Sequence, residues 1–213
     1  TSSDIITTSS LFEEDMILKN YNVDSNKMKL ITPGVDVEIF SPDQTVKREN
    51  IILSIGRIQE QKGQIETIKF LDNFKKVENN FTCYFVGGPS GKSGNEYLVE
   101  LKQTVVDLNL ESHIEFLDNL PQTEIRDLLN KSKLLIHTSK FETFGLVAAE
   151  ANAMGVPVLT TNSGSLLEIV ENSKNGYYSD NLIDGNVNNF VKGLLNNKDK
   201  FDEIMMNCLE KSK

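Results

Sequence analysis

The chain has 213 residues, 38% of them hydrophobic and 25% charged, the balance of an ordinary globular protein. Its formal charge is −9 and it has no large Lys/Arg cluster, which argues against a nucleic-acid binder. No apolar run approaches the ~20 residues of a bilayer-spanning helix, and no signal-peptide pattern opens the chain.

A chain of this length is expected to hold one domain, or one domain plus a fragment. Cys83 and Cys208 lie far apart with no motif around either, so reduced thiols and a cytoplasmic setting are expected. Nothing in the residues argues for peripheral membrane contact. An anionic ligand would be held by a few local cations and backbone N–H groups against the net charge.

Residues 1–48 do not read as the start of a domain. Residues 4–8 are strand-like, a helix is predicted over 11–20, and a short strand over 27–31 runs into the turn Thr32-Pro33-Gly34-Val35-Asp36. From Asn50 a regular alternation begins. Ile51–Ile55 reads as a strand ending in Gly56-Arg57, followed by a helix over 63–76 with Ile65, Ile68, Leu71 and Phe74 at helical spacing. Strand 81–86, helix 95–108, strand 113–117 and helix Gln122–Lys131 come next, then an apolar run over 133–138 with the length of a buried strand. A helix rich in Ala opens after Gly145 and stops at Gly155. Strand 156–160, a strand-like Gly176–Tyr178 and helices over 187–196 and 199–211 complete the chain. Strands alternating with helices of ten or more residues predict an α/β fold built on a doubly wound parallel sheet.

Two carboxylates stand in odd places around Gly145. Glu142 falls in the loop after the 133–138 strand, at the carboxyl end where open α/β sheets bind ligands. Glu150 lies inside the Ala-rich helix, where a carboxylate needs a partner or a route to solvent. An arbitrary Glu in such a helix more often lies on the solvated stripe. The helix start at Thr143, Phe144, Gly145 and Leu146 offers unpaired N–H groups, an anion site in waiting. With an acceptor one turn deeper, the pair suggests a phosphate and a sugar in one ligand.

A second candidate follows the first strand of the alternation. Arg57 and Lys62 share the loop Gly56-Arg57-Ile58-Gln59-Glu60-Gln61-Lys62-Gly63, which opens onto a helix above the same sheet edge. An Arg fork with a Lys point charge suits a diphosphate, though two surface cations would look the same. Gly87-Gly88-Pro89-Ser90-Gly91-Lys92-Ser93 imitates the phosphate loop of a nucleoside triphosphatase. The spacing fails: Val86 stands where the first Gly is required, and Gly87 leaves one residue too few. Pro89 also removes an N–H from a cradle built of them. His137, ending a strand, reads as a core histidine and is given no role; His113 carries no signal. No metal-ligand spacing, no Gly-x-Ser-x-Gly and no Gly-x-Gly-x-x-Gly is found.

Glu142-x7-Glu150, with Phe144-Gly145 between, resembles the Glu-x7-Glu signature of retaining glycosyltransferases of family 4 (group 1). These glycogen-synthase-like and sucrose-phosphate-synthase-like enzymes have the two-domain GT-B fold, and the extended string FETFGLVAAEANAMGVPVL is highly specific to them. The resemblance implies that residues 49–213 are the Rossmann-like, nucleotide-sugar-binding domain. The segment PGVDVEIFSP is similar to the family's crossover, so residues 1–48 are expected to end an amino-terminal domain that carries the acceptor site. Gly56, Arg57 and Lys62 match the GR…KG motif that holds the donor diphosphate, and Gly87 belongs to the Gly-rich turn lining the nucleotide pocket. The backbone of Leu120 would meet the base. Residues 143–146 would take phosphate, Glu150 the ribose hydroxyls and Glu142 the donor sugar. The catalytic set is Arg57, Lys62 and Glu142, with a nucleotide-diphosphate sugar, commonly a uridine diphosphate (UDP) sugar, as co-substrate. No metal or other cofactor is implied. The turn Asn162-Ser163-Gly164-Ser165-Leu166-Leu167-Glu168-Ile169 is similar to a family turn near the donor sugar but departs from the Gly-Gly, Pro and Glu pattern that many relatives carry there. Competing readings are a non-catalytic nucleotide-sugar-binding module, a P-loop ATPase, and a sugar epimerase whose extra carboxylates are not found.

Overall fold

A computed structural model describes residues 3–212. The first 48 residues contribute a small parallel pair, β1 (Ile6–Thr8) with β2 (Met28–Leu30), joined through α1 (Leu11–Asn20). Then follow β3 (Ile51–Ile55), α2 (Gln64–Lys75), β4 (Thr82–Val86), α3 (Gly91–Asp107), β5 (Ile114–Leu117) and α4 (Gln122–Lys131). The second half holds β6 (Leu134–His137), α5 (Leu146–Ala153), β7 (Val158–Thr160), α6 (Leu166–Ile169), β8 (Gly176–Tyr178), α7 (Gly185–Asn196) and α8 (Lys198–Lys211).

Strands β3 to β8 form one all-parallel sheet in the order β5-β4-β3-β6-β7-β8. This is the doubly wound arrangement expected from the sequence. Successive strand side chains face opposite ways, so a strand covered on both sides reads as one unbroken apolar run. Ile52, Leu134, Ile136 and Leu159 meet the core under α2, α3, α7 and α8. Leu53, Leu135 and Val158 meet the one under α4, α5 and α6. Phe70, Phe74 and Phe85 are fully buried in the first core, each contributing roughly 1.5–3 kcal/mol.

Two elements differ from the sequence reading. Helix α3 begins at Gly91 rather than at 95, so Gly91-Lys92-Ser93-Gly94 is a first helical turn, not a loop. Gly94 is needed there, because a Cβ would stand 2.8 Å from the Ile58 carbonyl oxygen. The short α6 was not anticipated, since four residues carry no periodicity.

The connection into the sheet is tied down by Phe40, buried in the second core, and by Arg48. The Arg48 guanidinium donates to the carbonyls of Leu129, Ser132 and Met154 at 2.6, 3.0 and 2.6 Å. Burial lowers its pKa to about 10. Helix α1 buries none of its ten residues. Its N-terminus is capped by Ser10 Oγ, which accepts from the Glu13 N–H, while the Glu13 carboxylate reaches one residue further back and accepts from the Ser9 N–H. The Glu168 carboxylate of α6 accepts from the Leu11 and Phe12 N–H groups at 3.2 and 2.8 Å. Phe12 meets Phe141 with ring centroids 5.8 Å apart.

Candidate functional site

Neighbouring strands β3 and β6 send their following helices to opposite faces of the sheet, α2 into one core and α5 into the other. Their carboxyl ends therefore open a crevice, the switch point where open α/β sheets take ligands. The loops carrying Arg57, Lys62, Glu142 and residues 143–146 all leave from this edge.

The two loops are locked together by main chain. Gly63 takes a left-handed φ of +68°, and any Cβ on it would overlap the Thr138 carbonyl. Thr138 Oγ1 donates to the Gly63 carbonyl at 2.8 Å and lies 3.0 Å from Thr67 Oγ1. The Lys140 N–H donates to the Gln61 carbonyl at 2.8 Å. Buried Gln64 donates from Nε2 to the Arg57 carbonyl at 2.8 Å, fixing the start of the same loop. The lysine is thereby set against the carboxylate: Lys62 Nζ donates to Glu142 Oε2 at 2.8 Å. His137 Nε2 lies 3.1 Å from that same oxygen, which requires a hydrogen on Nε2.

Glu142 is held through its backbone as well. Its carbonyl accepts from the Ser165 N–H at 3.2 Å and from Ser165 Oγ at 3.1 Å. Gly164, at φ +58°, lies so close that a Cβ would overlap that carbonyl. Burial pushes the Glu142 pKa up, but hydrogen bonds from His137 and Lys62, with the Lys62 charge, outweigh it and bring the pKa to about 2.

Glu150 is the opposite case. It is 9% exposed, so it is not on a solvated stripe, and its carboxylate has no hydrogen-bond partner among the described residues. Burial alone raises its pKa to about 7. At the start of the same helix Gly145 adopts φ +93°, where a Cβ would stand 2.6 Å from Leu166 Cδ2, and no side chain caps the helix. The N–H groups of residues 143–147 make no hydrogen bond to backbone or side chain among the described residues. They stay available to an anion.

The remaining predicted residues line the same edge. Arg57 is exposed and its guanidinium is unpaired among the described residues. Gly87, at φ +137°, lies against the Gly56 carbonyl with no room for a Cβ. Leu120 is half-buried, and neither its N–H nor its C=O is used within the described residues. The phosphate-loop imitation does not form a cradle. The Gly88 N–H donates to Asn119 Oδ1 at 2.9 Å and the Ser90 N–H to the Ile58 carbonyl at 3.3 Å. Lys92 points away, pairing with Glu96 at 3.8 Å on the surface.

Sequence reasoning missed His137, Gln64, Thr138 and Ser165. The last three act on main chain, which leaves no side-chain signature. For His137 the signal was its place one strand-end from Glu142. Glu168 caps α1 rather than opening toward the crevice.

The family model of the group 1 glycosyl transferases matches residues 36–207, and the chain belongs to that family. D-inositol 3-phosphate glycosyltransferase of Corynebacterium glutamicum (strain R) is 27% identical over 197 residues, covering 86% of this chain and 46% of that protein. The protein of that name from Rhodococcus jostii (strain RHA1) is 29% identical over 196 residues, covering 86% and 42%. The chain thus spans less than half the length of these relatives. Among solved structures, Anabaena HepE in complex with UDP and glucose superposes with a TM-score of 0.86 at 22% identity, covering 99% of this chain and 58% of that one. Sucrose-phosphate synthase from Thermosynechococcus elongatus gives 0.84 at 23%, covering 99% and 54%. These likenesses show the fold, the Rossmann-like α/β architecture found in GT-B glycosyltransferases. No described helix is long and apolar enough to cross a membrane.

Proposed function

We propose that the chain is the donor-binding half of a retaining glycosyltransferase, taking a sugar from a nucleotide-diphosphate sugar, with UDP sugars the favoured donors. One observation carries the reading. Arg57 and Lys62 leave the same sheet edge as the α5 amides of residues 143–147, which are unpaired among the described residues, and Glu150 one turn deeper in α5 is a largely buried carboxylate with no partner among them.

In this reading Arg57, Lys62 and the α5 amides hold the diphosphate. They stabilise negative charge building on the leaving phosphate as the anomeric carbon becomes cation-like. Glu150 accepts from the ribose hydroxyls, Glu142 from the donor sugar, and the main chain of Leu120 meets the base. The cations and amides supply the charge stabilisation that a metal supplies elsewhere. Residues 1–48 belong to the edge of a first domain bearing the acceptor, and the two buried free thiols fit a cytoplasmic protein.

Titration calorimetry with UDP tests the proposal. Arg57→Ala is expected to weaken binding by about tenfold or more, since hydrogen bonds to charged groups contribute about 1.5–3 kcal/mol. Glu150→Gln should weaken UDP binding and spare inorganic pyrophosphate. Unchanged UDP affinity in Arg57→Ala and Lys62→Ala removes the phosphate roles.

A further inference from the structure

The two side chains that hold Glu142 do so asymmetrically. Lys62 Nζ and His137 Nε2 converge on Oε2, at 2.8 and 3.1 Å, while Oε1 has no partner among the described residues. The loop backbone of Glu142 is pinned separately by Ser165. With Oε2 tethered by two donors and the backbone held by Ser165, Oε1 is left as the oxygen available to a ligand.

The two tethers differ in what a ligand does to them. Lys62 is 22% exposed in its side chain, on a flexible stem with three donors, and stands where an incoming phosphate would compete for it. His137 is 6% exposed, at the end of a central strand flanked by β3 and β7, and its carbonyl accepts from Thr160 Oγ1 at 2.7 Å. A short, buried ring on a strand end cannot follow the ligand.

We propose that His137 is a positioning residue for donor-sugar recognition: its Nε2–H keeps Glu142 Oε2 tethered when Lys62 shares its donors with the diphosphate, so that Oε1 meets a sugar hydroxyl. This rests on the donor-site reading above. It assigns His137 no contact with the donor.

The test compares UDP with UDP-glucose, read as the ratio of their dissociation constants in the full chain. His137→Phe removes the donor and keeps ring volume. It is expected to shift the ratio about tenfold against UDP-glucose while UDP alone binds within about threefold of the parent, the loss of one hydrogen bond to a charged group. His137→Gln, which still offers an N–H at similar reach, should restore most of the ratio. In a Glu142→Gln background, His137→Phe should add nothing. Equal losses for both ligands, an unchanged ratio, or additivity with Glu142→Gln overturns the proposal and leaves the donor site standing. If His137→Phe fails to fold, His137→Gln decides, because a shift as large as that of Glu142→Gln refutes the tether. A parent chain that binds neither ligand sinks the donor-site reading itself, and the tether with it.

Discussion

Glu142 and Glu150 share one short stretch of chain but stand in opposite surroundings. The loop carboxylate has two donors on one oxygen and a pKa near 2. The helix carboxylate belongs to a residue only 9% exposed, has no partner among the described residues, and burial raises its pKa to about 7. Burial raises both; only the neighbours differ. The loop acid is neutralised before any ligand arrives, so it can be rigid. The helix acid stays costly until something donates to it, so it gains most from a ligand bearing hydroxyls.

The largest effect expected from breaking this contrast comes from Lys62→Met. It removes a cation proposed to hold the diphosphate and takes from Glu142 its lysine partner. UDP affinity should fall about 10- to 100-fold by calorimetry, and an affinity within threefold of the parent breaks the picture. Gly164→Ala comes next. It puts a side chain at φ +58° against the Glu142 carbonyl, a strain of about 1–3 kcal/mol, so the melting temperature should drop by about 2–4 °C for each kcal/mol lost at this chain length. A melting temperature equal to the parent's would show that the turn does not hold the loop.

Glu150→Gln sharpens the comparison through pH. A carboxyl whose folded pKa, about 7, lies above the ordinary 4.5 binds more protons in the native state. Its ionisation therefore lowers stability as pH rises from about 4.5 to 7. Glu142 has the opposite sign, since its pKa near 2 contributes stability above 4.5 that is lost as pH falls toward 2. Glu150→Gln should raise the melting temperature at pH 8 by roughly 2–4 °C for each kcal/mol of ionisation cost removed and leave it unchanged at pH 4. A drop at pH 8 would mean the carboxylate has a partner after all. The smallest effect belongs to Lys92→Ala: this exposed lysine should leave UDP affinity within about twofold, whereas a phosphate loop would lose it outright.

Much of this was legible in the chain. The apolar runs Ile51-Ile52-Leu53 and Leu134-Leu135-Ile136 announced buried strands, and the FETFGLVAAEANAMG string placed Glu142 in the loop at the strand end and Glu150 in the helix that follows. What stayed hidden was any role exerted through main chain or across the sheet. Gln64 reads as an ordinary polar residue until its amide is seen on the Arg57 carbonyl. His137 looks like core filler because its partner depends on how the following loop folds back. The start of α3 was misread because Gly91 and Gly94 look like breakers, yet they serve a left-handed φ and a close approach to Ile58. Glu168 was matched to a sugar-proximal turn, and its use as a cap for α1 depends on residues more than 150 positions away.

The seam between Gly63 and Thr138 has a consequence for precision. Because Gly63 has no Cβ, its backbone sits against the Thr138 carbonyl, and the Thr138 hydroxyl bonds the Gly63 carbonyl, so the spacing of the two loop backbones is set before the Lys62 and Glu142 side chains meet. Any substitution of Gly63 forces the loops apart at the one place where nothing else can compensate.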